Sequence, residues 1–327
     1  MYDIITIGHL LRDVFLFVPP GIEASVLGGV NEFSFKPEAK YEMQDITYDL
    51  GGTACNVAVG IAKLGFRSAL VAKVGTDSQG KQLVQELKQH KVSSNFIVKD
   101  HQHKTGLGLM LVGIDGTKTA LVYSGASKNL KISDVPLTKL KSRWLFLSSL
   151  EGDLKMLERI ITSAKKQGVK VAYDFGQTAR QLELKNLLPI FRNLDLLIIN
   201  RRTASELVEL TTNDIKVLFA SLIVTTPGLV VVTDGERGSY LSGDIEEEEA
   251  IYFAPVLRDK LVDTSGADSA LAAGFLAGLL KYEDKLEALK LATINVSQVV
   301  GEIGTQAGLL KRWPSKNQLD KIRISKL

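Results

Sequence analysis

The sequence predicts an α/β fold built on a mostly parallel sheet, and three observations predict it. Short apolar runs bounded by turn residues alternate with helix-period segments along most of the 327 residues, the pattern of parallel strands joined by crossover helices. Glycine-rich turns recur where such runs meet helical segments, at Gly51-Gly52, Gly75 to Gly80 and Gly235 to Gly238. Two segments, residues 14–50 and 105–123, break the rhythm with strands and turns and no helix.

Residues 4–7 open the chain as an apolar strand. Further strands fall at 69–74, 144–148, 170–173, 196–199 and 229–233, short apolar runs of the kind a sheet covered on both faces requires. Helices fill 54–64, 80–90, 154–167, 204–210, 267–280 and 285–302, the first closed by Gly65. Residues 105–110 and 118–123 flank Asp115-Gly116, a hairpin signal.

A chain with 45% hydrophobic and 24% charged residues is long enough for one large core plus an accessory element. Its formal charge of +3 is too small for a dedicated nucleic-acid binder. The single cysteine, Cys55, rules out a disulfide framework and a cysteine metal cluster. None of the four histidines has ligand spacing, so no metal site is expected. The N-terminus enters a strand at once, without a basic region or cleavage site, and no apolar run reaches membrane-spanning length. The expected setting is cytoplasmic, with no nucleic-acid or membrane partner.

Residues 261–275, LVDTSGADSALAAGF, carry the most chemistry. A glycine and small residues precede a long apolar helix, leaving backbone N–H groups at a helix N-terminus where the dipole favours an anion. The stretch resembles the D-T-x-G-A-G-D signature of the ribokinase-like (PfkB) carbohydrate kinases. Gly51 to Ala58 resembles that family's G-G-x-x-x-N-x-A, Gly75 to Gly80 its G-x-D-x-x-G, and Thr233 to Gly238 its T-x-G-x-x-G nucleotide loop. The four occur in the family's order.

The resemblance implies a three-layer fold in which 1–13, 51–104 and 124–327 form the large domain and 14–50 with 105–123 a discontinuous β lid. It implies ATP and Mg²⁺ and a sugar or nucleoside acceptor; a monovalent cation is compatible, though no residue demands one. A homodimer through the lid stays open. By the same resemblance Asp13, Gly51, Gly52 and Asn56 bind the acceptor. Glu151, by its place just after a strand, is either a further hydroxyl acceptor or a Glu of the first helical turn. Asn200, Thr233, Gly235, Gly238, Asp263, Thr264 and Asn295 serve the nucleotide. Thr203 stands where the family's N-x-x-E has its Glu; with Glu206 it fits a capping box T-x-x-E. Thr53 replaces the lysine of some ribokinase-like sugar kinases, and Phe33, Phe35 and Tyr41 lie in the first lid segment, which together favours a neutral sugar or nucleoside.

The last signature departs from the family. It reads G-A-D-S, so two registers are open. Without a gap, Ser269 takes the place of the catalytic Asp and Asp268 that of a glycine. With one glycine deleted, Asp268 is the base, and Gly266 and Ala267 supply the anion-binding amides. A serine needs its own activator to act as a base. The expectation adopted is a working kinase that uses Asp268. The alternatives are a nucleoside kinase and a weak or inactive ligand-binding relative.

Overall fold

The computed structural model describes residues 1–19, 24–27, 30–113, 118–148, 150, 152–176, 183–210, 214–243, 250–257 and 261–327. Its chain opens with β1 (Tyr2–Ile7), which runs almost directly into β2 (Leu11–Phe17). After a small hairpin of β3 (Ala24–Leu27) and β4 (Val30–Phe33), β5 (Asp45–Gly51) leads into α1 (Thr53–Lys63). Then follow β6 (Ser68–Gly75), α2 (Ser78–Gln89), β7 (Val92–Asp100), β8 (Gly106–Val112) and β9 (Lys118–Tyr123). The classical alternation resumes with β10 (Ser142–Ser148), α3 (Leu154–Lys166), β11 (Lys170–Phe175), α4 (Leu184–Phe191), β12 (Leu196–Asn200), α5 (Arg201–Leu207), α6 (Ile215–Ile223) and β13 (Leu229–Thr233). The chain ends with β14 (Gly238–Ser242), β15 (Ile251–Pro255), α7 (Ala267–Tyr282), α8 (Lys285–Val299), α9 (Lys316–Leu319) and β16 (Ser325–Lys326).

Among the described residues these strands make one large sheet in the order β16-β15-β14-β13-β12-β11-β10-β1-β6-β7. The run from β13 to β7 is parallel, and β14, β15 and β16 add antiparallel strands at one edge. Alternate residues feed opposite faces, as the period of a strand requires. Ile5 and Ile7 of β1 join the cluster under α3 and α4, while Ile4 joins that under α7 and α8. Each fully buried Ile or Phe there contributes about 1.5–3 kcal/mol. The cores on both faces make the three layers expected.

Helix α7 is rich in small residues because it packs backbone to backbone on α8. A Cβ at Gly274 would sit 2.7 Å from Ala292 Cα, and one at Gly278 would run into Ala288 Cα. Its buried residues surround the helix, as in a fully internal helix.

The lid is a separate mixed sheet in the order β5-β2-β8-β9. It reaches back to Leu11, so Asp13 and Gly51 lie in lid strands rather than in the large domain. The β8–β9 pairing agrees with the hairpin expected there, though Asp115-Gly116 itself lies outside the described residues.

The calls missed in sequence were β7, the helices α4, α6 and α9, and the antiparallel edge. The expected cap of α5 also differs. Asn200 caps it, accepting the Thr203 N–H at 2.8 Å, whereas Glu206 accepts from Arg202 Nε at 2.9 Å. The capping box at Thr203–Glu206 is therefore replaced by an Asn cap one turn earlier.

Candidate active site

Lid and large domain meet at the C-terminal ends of the parallel strands, where ligands of such sheets gather. Asp13 is directly opposite Asp49 in the β2–β5 ladder and opposite Gly108 in β8, so the three share one face of the lid. The Asp13 carboxyl fits there because Gly51 and Gly108 lack side chains; a Cβ at either would sit 2.5 Å from it. Asp13 is buried, and among the described residues no hydrogen bond to its carboxyl is found. Burial, with the Asp49 charge beside it, pushes its pKa up to about 7.

Gly52, at φ +100°, turns the chain from β5 into α1, and a Cβ on it would strike the His9 carbonyl. Asn56 is buried one turn into α1, and its Oδ1 accepts from Gln306 Nε2 at 2.7 Å. Thr305 donates its N–H to Asp49 Oδ2 at 2.8 Å. Thr305 also packs on the anion loop, its Cα 2.9 Å from where a Gly266 Cβ would be. Residues 304–306 therefore join the acceptor side to the start of α7. Glu151 lies outside the described residues.

Gly266 caps α7 in the left-handed region at φ +79°, a conformation glycine adopts without strain. The Ala267 N–H closes a turn on Thr264 O at 3.3 Å, so it is spent within the loop. Among the described residues no bond is found for the amides of Gly266, Asp268 and Ser269, and these are the N–H groups left for an anion. This corrects the expectation that Ala267 supplies one.

Asp263 shapes this loop. Its Oδ1 accepts from Ser265 N at 2.6 Å and its Oδ2 from Gly304 N at 2.9 Å. The Lys118 ammonium, brought over by β9, also sits on Oδ1. Burial works to raise this carboxyl, but these hydrogen bonds outweigh it and hold the pKa below the usual carboxylate range. Asp263 is thus an internal organiser, and Thr264 is an exposed loop residue.

On the other side a narrow pocket is lined by Thr233, Gly235, Gly238, Asp268, Thr293 and Ser297, among others. Asp268 opens onto it and accepts a hydrogen bond from the Thr233 hydroxyl; the surrounding protein raises its pKa against that bond. Asp174 stands beside it at the end of β11, pushed up to about 8 by burial and by the Asp268 charge. Gly235, at φ +55°, and Gly238, at φ +128°, shape the loop, and a Cβ at Gly238 would collide with Ala254 O. A wider cavity of about 860 Å³ begins at Ser297 and extends along Gly308 and Trp313, without any residue of the α7 N-terminus.

Two expected nucleotide ligands have other work. Asn295 is buried, donating to Ala270 O at 2.7 Å and accepting from Leu310 N at 2.9 Å, so it ties α8 to α7 and does not face a base. Asn200 spends its oxygen on the α5 cap. Phe33 and Tyr41 pack on Val18 and Leu111 inside the lid, and Phe35 meets Tyr41 edge-on at 5.7 Å. The Gly75–Gly80 motif anchors the lid base: Asp77 caps α2 and accepts from Thr105 N at 2.8 Å and Thr105 Oγ1 at 2.6 Å.

The pfkB family carbohydrate kinase model matches residues 22–312. The chain belongs to the pfkB carbohydrate kinase family. It is 24% identical to a nucleoside kinase of Methanothermobacter thermautotrophicus over 94% of this chain and 92% of that relative. It is 26% identical to mouse (Mus musculus) ribokinase over 82% of each. Its fold matches that of Arabidopsis thaliana ribokinase complexed with ribose and ATP, with a TM-score of 0.78, 18% identity and 98% of both chains covered. This pfkB chain is therefore a phosphotransferase, and membership implies ATP as phosphoryl donor.

Among the described residues no group of three or more His, Cys, Asp or Glu side chains is placed to hold a metal. The donor set suits a Mg²⁺ carried mainly by phosphate oxygens, since Asp268 lines the pocket and Asp174 lies only close enough to feel its charge. A monovalent cation fits less well, since Asp263, the buried carboxylate among these loops, already holds Lys118. No helix among the described residues is long and apolar enough to cross a membrane.

Proposed function

We propose that this chain is an ATP-dependent kinase that phosphorylates a hydroxymethyl group of a small neutral sugar or related polyol. The observation that carries the reading is the continuity of the 304–306 turn, which holds Asp49 and Asn56 on the acceptor side and packs on Gly266 at the anion-binding terminus. Asp13 and Asn56 take acceptor hydroxyls, and Gly51 and Gly52 let the acceptor approach the backbone. The nucleotide lies over Thr233–Gly238 against α8. The amides of Gly266 and Asp268 hold the transferring phosphoryl group, since positioning and electrostatics carry most of such catalysis. Asp268 accepts the hydroxyl proton as the new O–P bond forms and the bond from the γ-phosphorus to ADP breaks. A carboxylate that lines the pocket at the start of α7 is placed to take that proton. Bound Mg²⁺ would neutralise phosphate charge.

A second reading, a weak or inactive ligand-binding relative, is favoured by one observation. The Asp268 carboxyl is engaged by Thr233 in the nucleotide pocket, while Ser269 is buried one position on. A coupled ATP-turnover assay over D-ribose, 2-deoxy-D-ribose, D-fructose, adenosine and D-fructose 6-phosphate separates the two. Turnover of a neutral compound that Asp13→Asn abolishes is the expected result. Preference for the sugar phosphate overturns the acceptor class, and no turnover at all supports the second reading. The outward lid face bears exposed Ile46, Tyr48, Leu121 and Tyr123, and a second copy of this chain is the partner we infer for it.

A further inference from the structure

The Asp13–Asp49 pair is the least expected arrangement in the cleft. Like charges directly opposite in a ladder destabilise a sheet. This pair nevertheless sits on the face turned to the large domain, with Gly51 and Gly108 kept bare around Asp13. Asp13 is 5% exposed, and among the described residues its carboxyl has no hydrogen-bond partner. Asp49 is fixed on one oxygen by Thr305 N.

The positive groups nearby are committed elsewhere. Arg12 pairs with Glu86 at 2.9 and 2.5 Å and meets Asp49 only at its backbone O, at 3.3 Å, and Lys63 of α1 donates to Gln306 O at 2.7 Å. Cys55 of α1 and His90, at the end of α2, are the other titratable groups coupled to the pair. A buried carboxyl beside a half-buried one, with the nearby side-chain cations paired to other groups, calls for a ligand that brings hydrogen-bond donors.

We propose that Asp49 is a second acceptor-binding residue, forming with Asp13 a two-carboxylate clamp that grips the acceptor by two hydroxyls and excludes phosphorylated acceptors. This rests on the kinase reading above and adds a residue to it. A phosphate dianion brought against the clamp would be repelled by both carboxylates, whereas neighbouring hydroxyls satisfy them. Burial raises both carboxyls, and the Asp49 charge adds to the rise at Asp13, so the pair resists carrying two charges at once.

The test is Asp49→Asn, whose amide oxygen still accepts the Thr305 N–H, with Asp49→Ala as a second variant. For the best neutral acceptor of the wild type, KM should rise at least tenfold in Asp49→Asn while the KM for ATP stays within twofold. The acid limb of the acceptor kcat/KM profile should also move to lower pH, because the neighbouring charge that raises Asp13 is gone. The limb reads the charge and the KM split reads the contact: a merely structural loss would raise the KM for ATP along with that for the acceptor. An unchanged acceptor KM, an unmoved limb, or better use of D-fructose 6-phosphate than of any neutral compound overturns the clamp. If the wild type turns nothing over, calorimetric titration of D-ribose and of adenosine into wild type and Asp49→Asn decides it. Weaker binding by the variant supports the clamp; equal binding, or none to either protein, overturns it.

Discussion

At the start of α7, successive residues meet different surroundings: Asp268 opens onto the pocket beside Thr233–Gly238 and Ser269 is buried. If Asp268 is the base, Asp268→Asn should lower kcat by roughly 10²–10⁴-fold with little change in ATP affinity, as steady-state kinetics would read. If Ser269 holds the base position, wild-type turnover is slow, Asp268→Asn spares it, and Asp268→Gly with Ser269→Asp raises it. Protonation gives a second residue-scale prediction. Asp13, raised to about 7, stabilises the unliganded fold fully below its unfolded value and loses that contribution as pH rises through 7. Thermal melts should therefore show Asp13→Asn gaining stability over wild type at pH 8 relative to pH 4; an equal difference at both would sink the assignment. Glycines and acids in motifs were legible in sequence because their spacing is local. Asp49 was not, since only the ladder sets it against Asp13, and neither was Lys118, which meets Asp263 only where β9 reaches the loop before α7.

The strands of the parallel sheet were legible as elements because each is an apolar run bounded by turns. β7, reading VSSNFIVKD with only its ends buried, carries no such signal. α6 is too apolar to show a helical stripe in IKVLFASLI. The Thr233–Gly238 loop, where we place the nucleotide, lends itself to substitution: a Cβ at Gly235 meets no atom within 4 Å, but Gly235→Val must hold a β-branched residue at φ +55°. The loop should rearrange and the KM for ATP rise severalfold, with the acceptor KM unchanged; an unaltered ATP KM would count against placing the nucleotide there. The lid hairpin offers a different lever. Lys118→Met leaves the buried Asp263 carboxylate unpaired, so the loop before α7 should loosen. We expect kcat/KM for both substrates to fall, with partial recovery in Lys118→Arg.

For the whole molecule, the outward lid strip predicts assembly. Tyr48→Lys with Leu121→Lys should turn a dimer into a monomer on light scattering without unfolding it; a wild type that is already monomeric would remove the basis for that surface. The lid also has a history within the chain. Its four strands come as two excursions, β2 with β5 and β8 with β9, separated by α1, β6, α2 and β7. β8 lies beside β2, so a central contact of the lid joins positions nearly a hundred residues apart, as in Asp13 with Gly108. Pairings of such sequence separation form late, once the intervening chain is compact. During refolding from denaturant, ATP binding should therefore return before acceptor binding, and a chain stopped before β8 would hold Asp13 and Asp49 on strands with an unpaired edge, open to association with other incomplete chains.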